Sequence, residues 1–271
     1  MKKRWSEKIV VVTGGSKGLG FQIAFAFAKR GGEVVLLART QNELEAAKKQ
    51  LTSLGLKAHV KVMNVLDDSN VETVFTEISE QFGRIDVLVN SIGKSTRMDL
   101  RNLDLQESRN LMEINFFSAL KCTRLALNQL IENQGHVVNI GSLACKTAWP
   151  LMTPYSASKF ALAALTHQLR IELQGKVHAM LVCPGPIQRI DAGHRYNNLT
   201  ENLPEQAKSP GAGAKIKGID AGKLAEQIVD GCEKRKAELI VPWKAKILFI
   251  AASISTRIGD WLLRINNKVK S

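Results

Sequence analysis

The chain has 271 residues, 45% of them hydrophobic, and 38 Lys and Arg against 25 Asp and Glu give it a formal net charge of +13 and an isoelectric point near 9.7. That length allows a sizeable core in one doubly wound α/β domain, and the charge favours anionic partners; the absence of basic-aromatic interleaving and of zinc-ligand spacing argues against nucleic acid and against a metal. Cys122, Cys145, Cys183 and Cys232 lie far apart with no C-x-x-C pair, and no apolar signal region follows the basic start Met1-Lys2-Lys3-Arg4-Trp5, which excludes a disulfide scaffold and points to reduced thiols in a cytoplasm.

Residues 9–12, Ile-Val-Val-Val, form the β-branched run of a strand buried on both faces. It leads through Thr13-Gly14-Gly15-Ser16-Lys17-Gly18-Leu19-Gly20 into a helix over 21–30. Strand, glycine-rich turn and helix present backbone N–H groups and a helix N-terminus to a phosphate, so this stretch predicts a dinucleotide site. A second strand over 33–40 ends in Ala38-Arg39, where a dinucleotide fold would place an acid for the ribose hydroxyls. Arg39, with Lys17 from the glycine loop, suits a 2′-phosphate instead, which favours NADP(H) over NAD(H).

A polar helix over 42–54 and an alternating strand over 58–63 follow, the strand ending at Asn64-Val65. Residues 67–82 read as a helix closed by Gly83, and 85–89 as a fourth strand delivering Asn90-Ser91-Ile92-Gly93. The long helical region 103–132 carries Asn115 in an apolar stretch, where an amide is costly unless hydrogen-bonded. A fifth strand over 136–142 ends in Ser142, and ligands bind at the carboxyl ends of strands in open α/β sheets. Tyr155 and Lys159, at i and i+4, share a helix face. An ammonium fixed there favours phenolate and makes the tyrosine a usable acid or base near neutral pH. A helix to 173, a strand over 177–183 ending in Pro184-Gly185, a polar stretch over 186–218, a helix over 219–236 and a last strand over 238–242 complete the core.

The T-G-x-x-x-G-x-G loop, Asn115, Ser142 and Tyr155-x-x-x-Lys159, in this order, resemble the short-chain dehydrogenase/reductase family over residues 7–242. The resemblance implies a Rossmann-like three-layer α/β/α domain, residues 1–242, with a mostly seven-stranded parallel sheet. It implies hydride transfer between a nicotinamide and a ketone or secondary alcohol. In it Tyr155 gives the proton, Lys159 lowers the tyrosine pKa and holds the nicotinamide ribose, Ser142 holds the carbonyl oxygen and Asn115 orders a relay water. Gly14, Ser16, Lys17, Gly18, Leu19 and Gly20 would form the cofactor loop, Asn64, Val65, Asn90 and Gly93 the adenosine side, and Pro184, Gly185 and Ile187 the nicotinamide side. The chain departs from the family at Asn64, usually aspartate, at Ser91-Ile92, and at Arg189, where threonine is frequent. The resemblance also implies a substrate lid over 186–218, mobile without ligand, and a homodimer or homotetramer built on the helices around Asn115 and Tyr155. An NAD-linked alcohol dehydrogenase working oxidatively and a non-catalytic nucleotide-binding scaffold are the alternatives; such scaffolds commonly lack the tyrosine or the lysine present here.

Beyond the family core, residues 243–271 form a basic C-terminal extension. Ile247, Ile250, Ile254, Ile258, Trp261 and Ile265 recur at three- and four-residue steps, flanked by Lys244, Lys246, Arg257, Arg264, Lys268 and Lys270. Asp260 and the flanking charges exclude a spanning helix. The stripe fits an anionic membrane surface, at the inner face of a membrane, or packing on the core or a second subunit, or a cover over an apolar substrate. With few aromatics in the lid, the substrate expected is a hydrophobic ketone. His194 falls in the lid; His59, His136, His167 and His178 read as structural, and Cys145 as a lining residue without chemistry.

Overall fold

The structure, a computed structural model, describes residues 4–188, 203 and 218–267, with side chains to 261 in the last helix. Strands β1 (Ile9–Thr13), β2 (Glu33–Ala38), β3 (Ala58–Val62), β4 (Val87–Asn90), β5 (His136–Ile140), β6 (His178–Pro184) and β7 (Glu238–Val241) alternate with helices. The helices are α1 (Gly18–Lys29), α2 (Gln41–Thr52), α3 (Asp68–Phe82), α4 (Leu105–Met112), α5 (Ser118–Glu132), α6 (Thr153–Glu172) and α7 (Ala221–Glu233), followed by α8 (Ala245–Ile254) and α9 (Thr256–Asn267). Every residue of β1 is buried, and successive side chains take opposite faces. Val10 and Val12 pack with Ile23 and Phe27 of α1 and Leu224 and Ile228 of α7. Ile9 and Val11 pack on the other face with Val71, Phe75 and Ile78 of α3 and Ala126 and Leu130 of α5. Each such side chain contributes about 1.5–3 kcal/mol by leaving water, so a strand apolar on both faces requires helices on both.

The seven strands are parallel in the order β3-β2-β1-β4-β5-β6-β7. The winding reverses between β1 and β4, and a crevice opens there at the carboxyl ends of the strands. Thr13, Asn90, Ile140 and Pro184 end their strands along that edge. The helices are closed by the signals the sequence carries: Asp67 accepts from the Asn70 N–H at the start of α3, and Gly83 ends it in the left-handed region at φ 66°. At the opposite edge the Asp86 carboxylate accepts from the Ile9 N–H, Lys8 and Arg84, tying β1 to β4.

Three expectations are refined. The helical region 103–132 is two helices joined by a π-turn, Glu113–Phe117, in which the Ser118 N–H donates to the Glu113 carbonyl. The wider turn directs the buried Asn115 inward. Ile219 belongs to a short parallel bridge with Ile187 rather than to α7. The tail is two helices because Ser255 is extended (φ −149°) and caps the second through its hydroxyl.

Candidate active site

The glycine loop is shaped by contacts that side chains would spoil. Gly14 and Gly18 sit at φ 66° and 59°, and a Cβ on Gly20 would lie 2.2 Å from the Gly14 carbonyl oxygen. The first turn of α1 has no side-chain cap and no acidic residue. Its free N–H groups and positive dipole end therefore fit a pyrophosphate. Leu19 is half-buried, with its side chain packed against the core.

Lys17 and Arg39 both act on a carboxylate absent from the motif, that of Glu43. Lys17 donates to the Glu43 carboxylate at 2.9 Å, and the Ser16 hydroxyl donates to it at 3.3 Å. Hydrogen bonding from Lys17, then its charge and that of Arg39, hold the Glu43 carboxyl below its ordinary range. Glu43 lies at the start of α2, an acidic first turn that suits the helix dipole. That local role explains its presence in sequence terms and gave no hint of the long-range pairing.

On the adenosine side, Asn64 is exposed and its side-chain oxygen accepts from the Leu66 N–H, while the Val65 side chain is buried in the core. An amide oxygen has a second lone pair, so Asn64 keeps one acceptor for a ligand. Asn90 faces inward instead: its amide donates to Thr123 at 3.1 Å and to Asn139 at 2.8 Å, and Asn139 donates on to Thr166. These buried amides join β4 and β5 to α5 and α6 beneath the crevice. Gly93 is exposed, and a Cβ there would stand 3.4 Å from the Lys159 ammonium and 3.5 Å from Asn115 Oδ1. Pro184 closes β6, the Gly185 N–H donates to the Val241 carbonyl, and Ile187 bridges to Ile219. Arg189, His194 and the rest of the expected lid, apart from its ends and residue 203, lie outside the described residues.

Lys159 is 3% exposed. Its ammonium donates to the Ile140 carbonyl at 3.0 Å and stands 5.9 Å from the Tyr155 ring centroid. Burial pushes the Lys159 pKa down, against the opposing pull of Cys145 and Cys183. The Asn115 amide is bonded at both polar atoms: Oδ1 accepts from the Lys94 N–H at 2.7 Å, and Nδ2 donates to the Lys94 carbonyl and to Ser158 Oγ, each at 2.9 Å. Ser158 in turn donates to the Tyr155 carbonyl at 2.7 Å. The asparagine thus fixes the 94 loop against the tyrosine helix, and both of its N–H groups are occupied. Ser158 was missed, although it stands inside the Tyr-Ser-Ala-Ser-Lys run. Ser142, just past β5, accepts from the Ala144 N–H, and its own N–H donates to the Cys145 sulfur at 3.4 Å. Gly141 makes room for that sulfur, which would lie 2.5 Å from a Cβ.

The histidines stand apart. His136 and His178 share a hydrogen bond of 2.8 Å, and burial pushes His136 down to about 3. His59 pairs with Glu33, and His167 is exposed on α6.

A family model described as short chain dehydrogenase matches residues 8–198. This chain belongs to the short-chain dehydrogenase/reductase family. It is 29% identical over 261 residues to 11-beta-hydroxysteroid dehydrogenase 1A of Arabidopsis thaliana, covering 95% of this chain and 75% of the relative. It is 32% identical over 237 residues to a ketoacyl reductase of Nostoc, covering 86% and 78%. Among solved structures, the actinorhodin polyketide ketoreductase with NADPH superposes with a TM-score of 0.75 at 25% identity, over 89% of this chain and 97% of that one. The short-chain dehydrogenase/reductase described here is an oxidoreductase of hydroxyl and keto groups. Among the described residues no helix is long and apolar enough to cross a membrane.

Proposed function

We propose that this enzyme is an NADPH-dependent carbonyl reductase, interconverting a hydrophobic ketone and its secondary alcohol. The observation that carries the reading is the Tyr155–Lys159 pair, set against the carboxyl end of β5 by the Lys159 bond to Ile140 and braced by Asn115 and Ser158. When bound, the nicotinamide cofactor supplies the hydride. Gly14, Ser16, Gly18 and Gly20 would hold its pyrophosphate, Lys17 and Arg39 a 2′-phosphate, and Lys159 the nicotinamide ribose. Ser142 Oγ donates to the substrate oxygen and orients it. Tyr155 Oη donates its proton to that oxygen as negative charge develops, and the Lys159 ammonium stabilises the phenolate left behind.

Replacing Tyr155 by Phe removes only the proton donor. NADPH affinity stays within about twofold, and turnover of a ketone panel, followed by NADPH consumption, falls by at least the 10²–10⁴-fold typical of general acid catalysis. Turnover near the parent rate in Y155F would overturn the assignment. A second reading, an NAD-linked dehydrogenase working oxidatively, draws on Glu43, whose carboxylate occupies Lys17. Comparing both cofactors in the parent and in Arg39→Asp decides between them. Exposed Leu105, Phe117, Phe160 and Ile171 on the helices around the site support a homodimer or homotetramer through those faces. The cellular place that fits the basic tail is the cytoplasm, against the inner face of a membrane.

A further inference from the structure

The described chain leaves fourteen large hydrophobic side chains exposed, and six of them fall between Trp243 and Trp261. Ile247, Ile250 and Ile254 follow one face of α8 at helical spacing, Trp243 precedes it in the turn after β7, and Ile258 and Trp261 stand three apart on α9. All six are between 47% and 78% exposed, whereas Phe249, on another side of α8, is 6% exposed. The two helices close on each other through Gly259, where a Cβ would lie 2.8 Å from that of Ala252. Gly259 is itself buried. The hairpin is therefore folded, and its apolar face is turned outward. Exposed apolar side chains concentrated in one hairpin mark an interaction surface.

Charge selects the occupant. Lys244 and Lys246 are exposed on either side of the α8 stripe, and Arg257 is exposed on α9, against Asp260 alone. A second copy of this face would bring like charge to like, whereas an anionic lipid surface brings the opposite sign. Long basic side chains can lay their stems along the apolar face and keep their charge among headgroups, and tryptophans settle at that level. The ten residues of α8 span about 15 Å, half the hydrocarbon thickness of a bilayer, so the hairpin lies in the surface plane.

Its place in the fold links this surface to the site. The hairpin follows β7 directly, and the Val241 carbonyl accepts from the Gly185 N–H in the turn that ends β6. The hairpin thus leaves the sheet at the carboxyl edge, beside the Ile187–Ile219 bridge. We infer that α8 and α9 form an in-plane anchor for anionic bilayers that holds the mouth of the active site at the lipid surface, so that the enzyme takes ketones dissolved in the bilayer. The substrate half of this inference rests on the carbonyl reductase reading; the anchor half does not.

Flotation of the full chain with phosphatidylcholine vesicles, with and without 30 mol% phosphatidylglycerol, separates the two because it needs neither cofactor nor substrate. Binding is expected on the anionic vesicles only, weakened by salt, by roughly fivefold for each of Lys244→Gln, Lys246→Gln and Arg257→Gln, and by more than tenfold in Ile250→Glu/Ile254→Glu. The same double variant should keep its kcat/KM for a water-soluble ketone and lose at least tenfold for a ketone carried in the vesicles. No flotation, or equal flotation on both vesicles, overturns the anchor. So does a fall in oligomer size in Ile250→Glu/Ile254→Glu, by light scattering, with vesicle binding intact, which would mean that a second copy covers the face. Flotation with equal losses on both ketones overturns the delivery of substrate from the bilayer. Flotation by a chain that reduces no ketone overturns the reductase reading and, with it, that delivery.

Discussion

Replacing Glu43 by Gln should tighten NADPH without tightening NADH. Lys17 now spends its charge on Glu43 at 2.9 Å, with side-chain exposures of 76% and 40%. An ion pair so exposed is worth only about 0.2–1 kcal/mol, so freeing Lys17 gains at most that. Glu43 would also repel a 2′-phosphate held by Lys17 and Arg39. A carboxylate and a doubly charged phosphate about 8 Å apart in water repel by about 1 kcal/mol, and salt at physiological strength reduces this to about 0.4 kcal/mol. The two effects together predict a threefold to tenfold lower Kd for NADPH. Titration of intrinsic fluorescence or calorimetry with both cofactors measures it, at two salt concentrations because the repulsive part is screened. Equal tightening of NADPH and NADH, or no change in either, would show that Lys17 and Arg39 do not meet a 2′-phosphate.

Other consequences can be measured directly. Ser158→Ala leaves an Asn115 N–H and the Tyr155 carbonyl without their buried partner, which costs about 1–3 kcal/mol; thermal unfolding should shift down and kcat should fall while cofactor affinity holds. Gly20→Ala forces a Cβ to within 2.2 Å of the Gly14 carbonyl, so α1 must back away from the loop; a stability loss of about 1–3 kcal/mol should accompany weakened cofactor binding. His136 has a folded pKa of about 3 against about 6.5 when unfolded. Below pH 6.5 the unfolded chain takes up a proton that the folded chain refuses, so stability falls as pH drops, by up to about 1.4 kcal/mol per pH unit towards pH 3. Urea titrations between pH 7 and 5 should lose about 2 kcal/mol to this group, a slope that His136→Asn removes.

The core of this molecule was legible because its signals are local. The β-branched run at 9–12, the glycine spacing after it and the Tyr155–Lys159 interval each carry their meaning within a few residues, and Asp67 and Gly83 punctuate α3 as their chemistry requires. What was hidden is long-range. Glu43 meets Lys17 across 26 residues, Asn90 meets Asn139 across 49, and Asn115 meets Ser158 across 43. Nothing in the neighbouring sequence distinguishes an amide turned inward from one turned to a ligand, so the bonds by which Asn90 braces β4 against β5 and α5 appear only in the fold. In the tail the apolar period ran unbroken across Ser255, whose extended backbone splits it; a stripe reports which side chains share a face but not where a helix folds back.

The π-turn at Glu113–Phe117 has a consequence for insertions and deletions. A turn of this kind holds one residue more than its α-helical equivalent, so removing any one of the five would let α4 and α5 anneal into a single regular helix. Because the turn already absorbs the extra residue, that deletion would leave α4 and α5 close to their present register, with Leu111 still buried. What would be lost is the wider turn itself, which brings Asn115 to the Lys94 backbone and to Ser158. A deletion inside α4 has no such reserve: it would rotate the segment before it by about 100° and shift it by about 1.5 Å. The number of residues in the turn, quite apart from their identity, is therefore part of what aims Asn115 at the tyrosine helix.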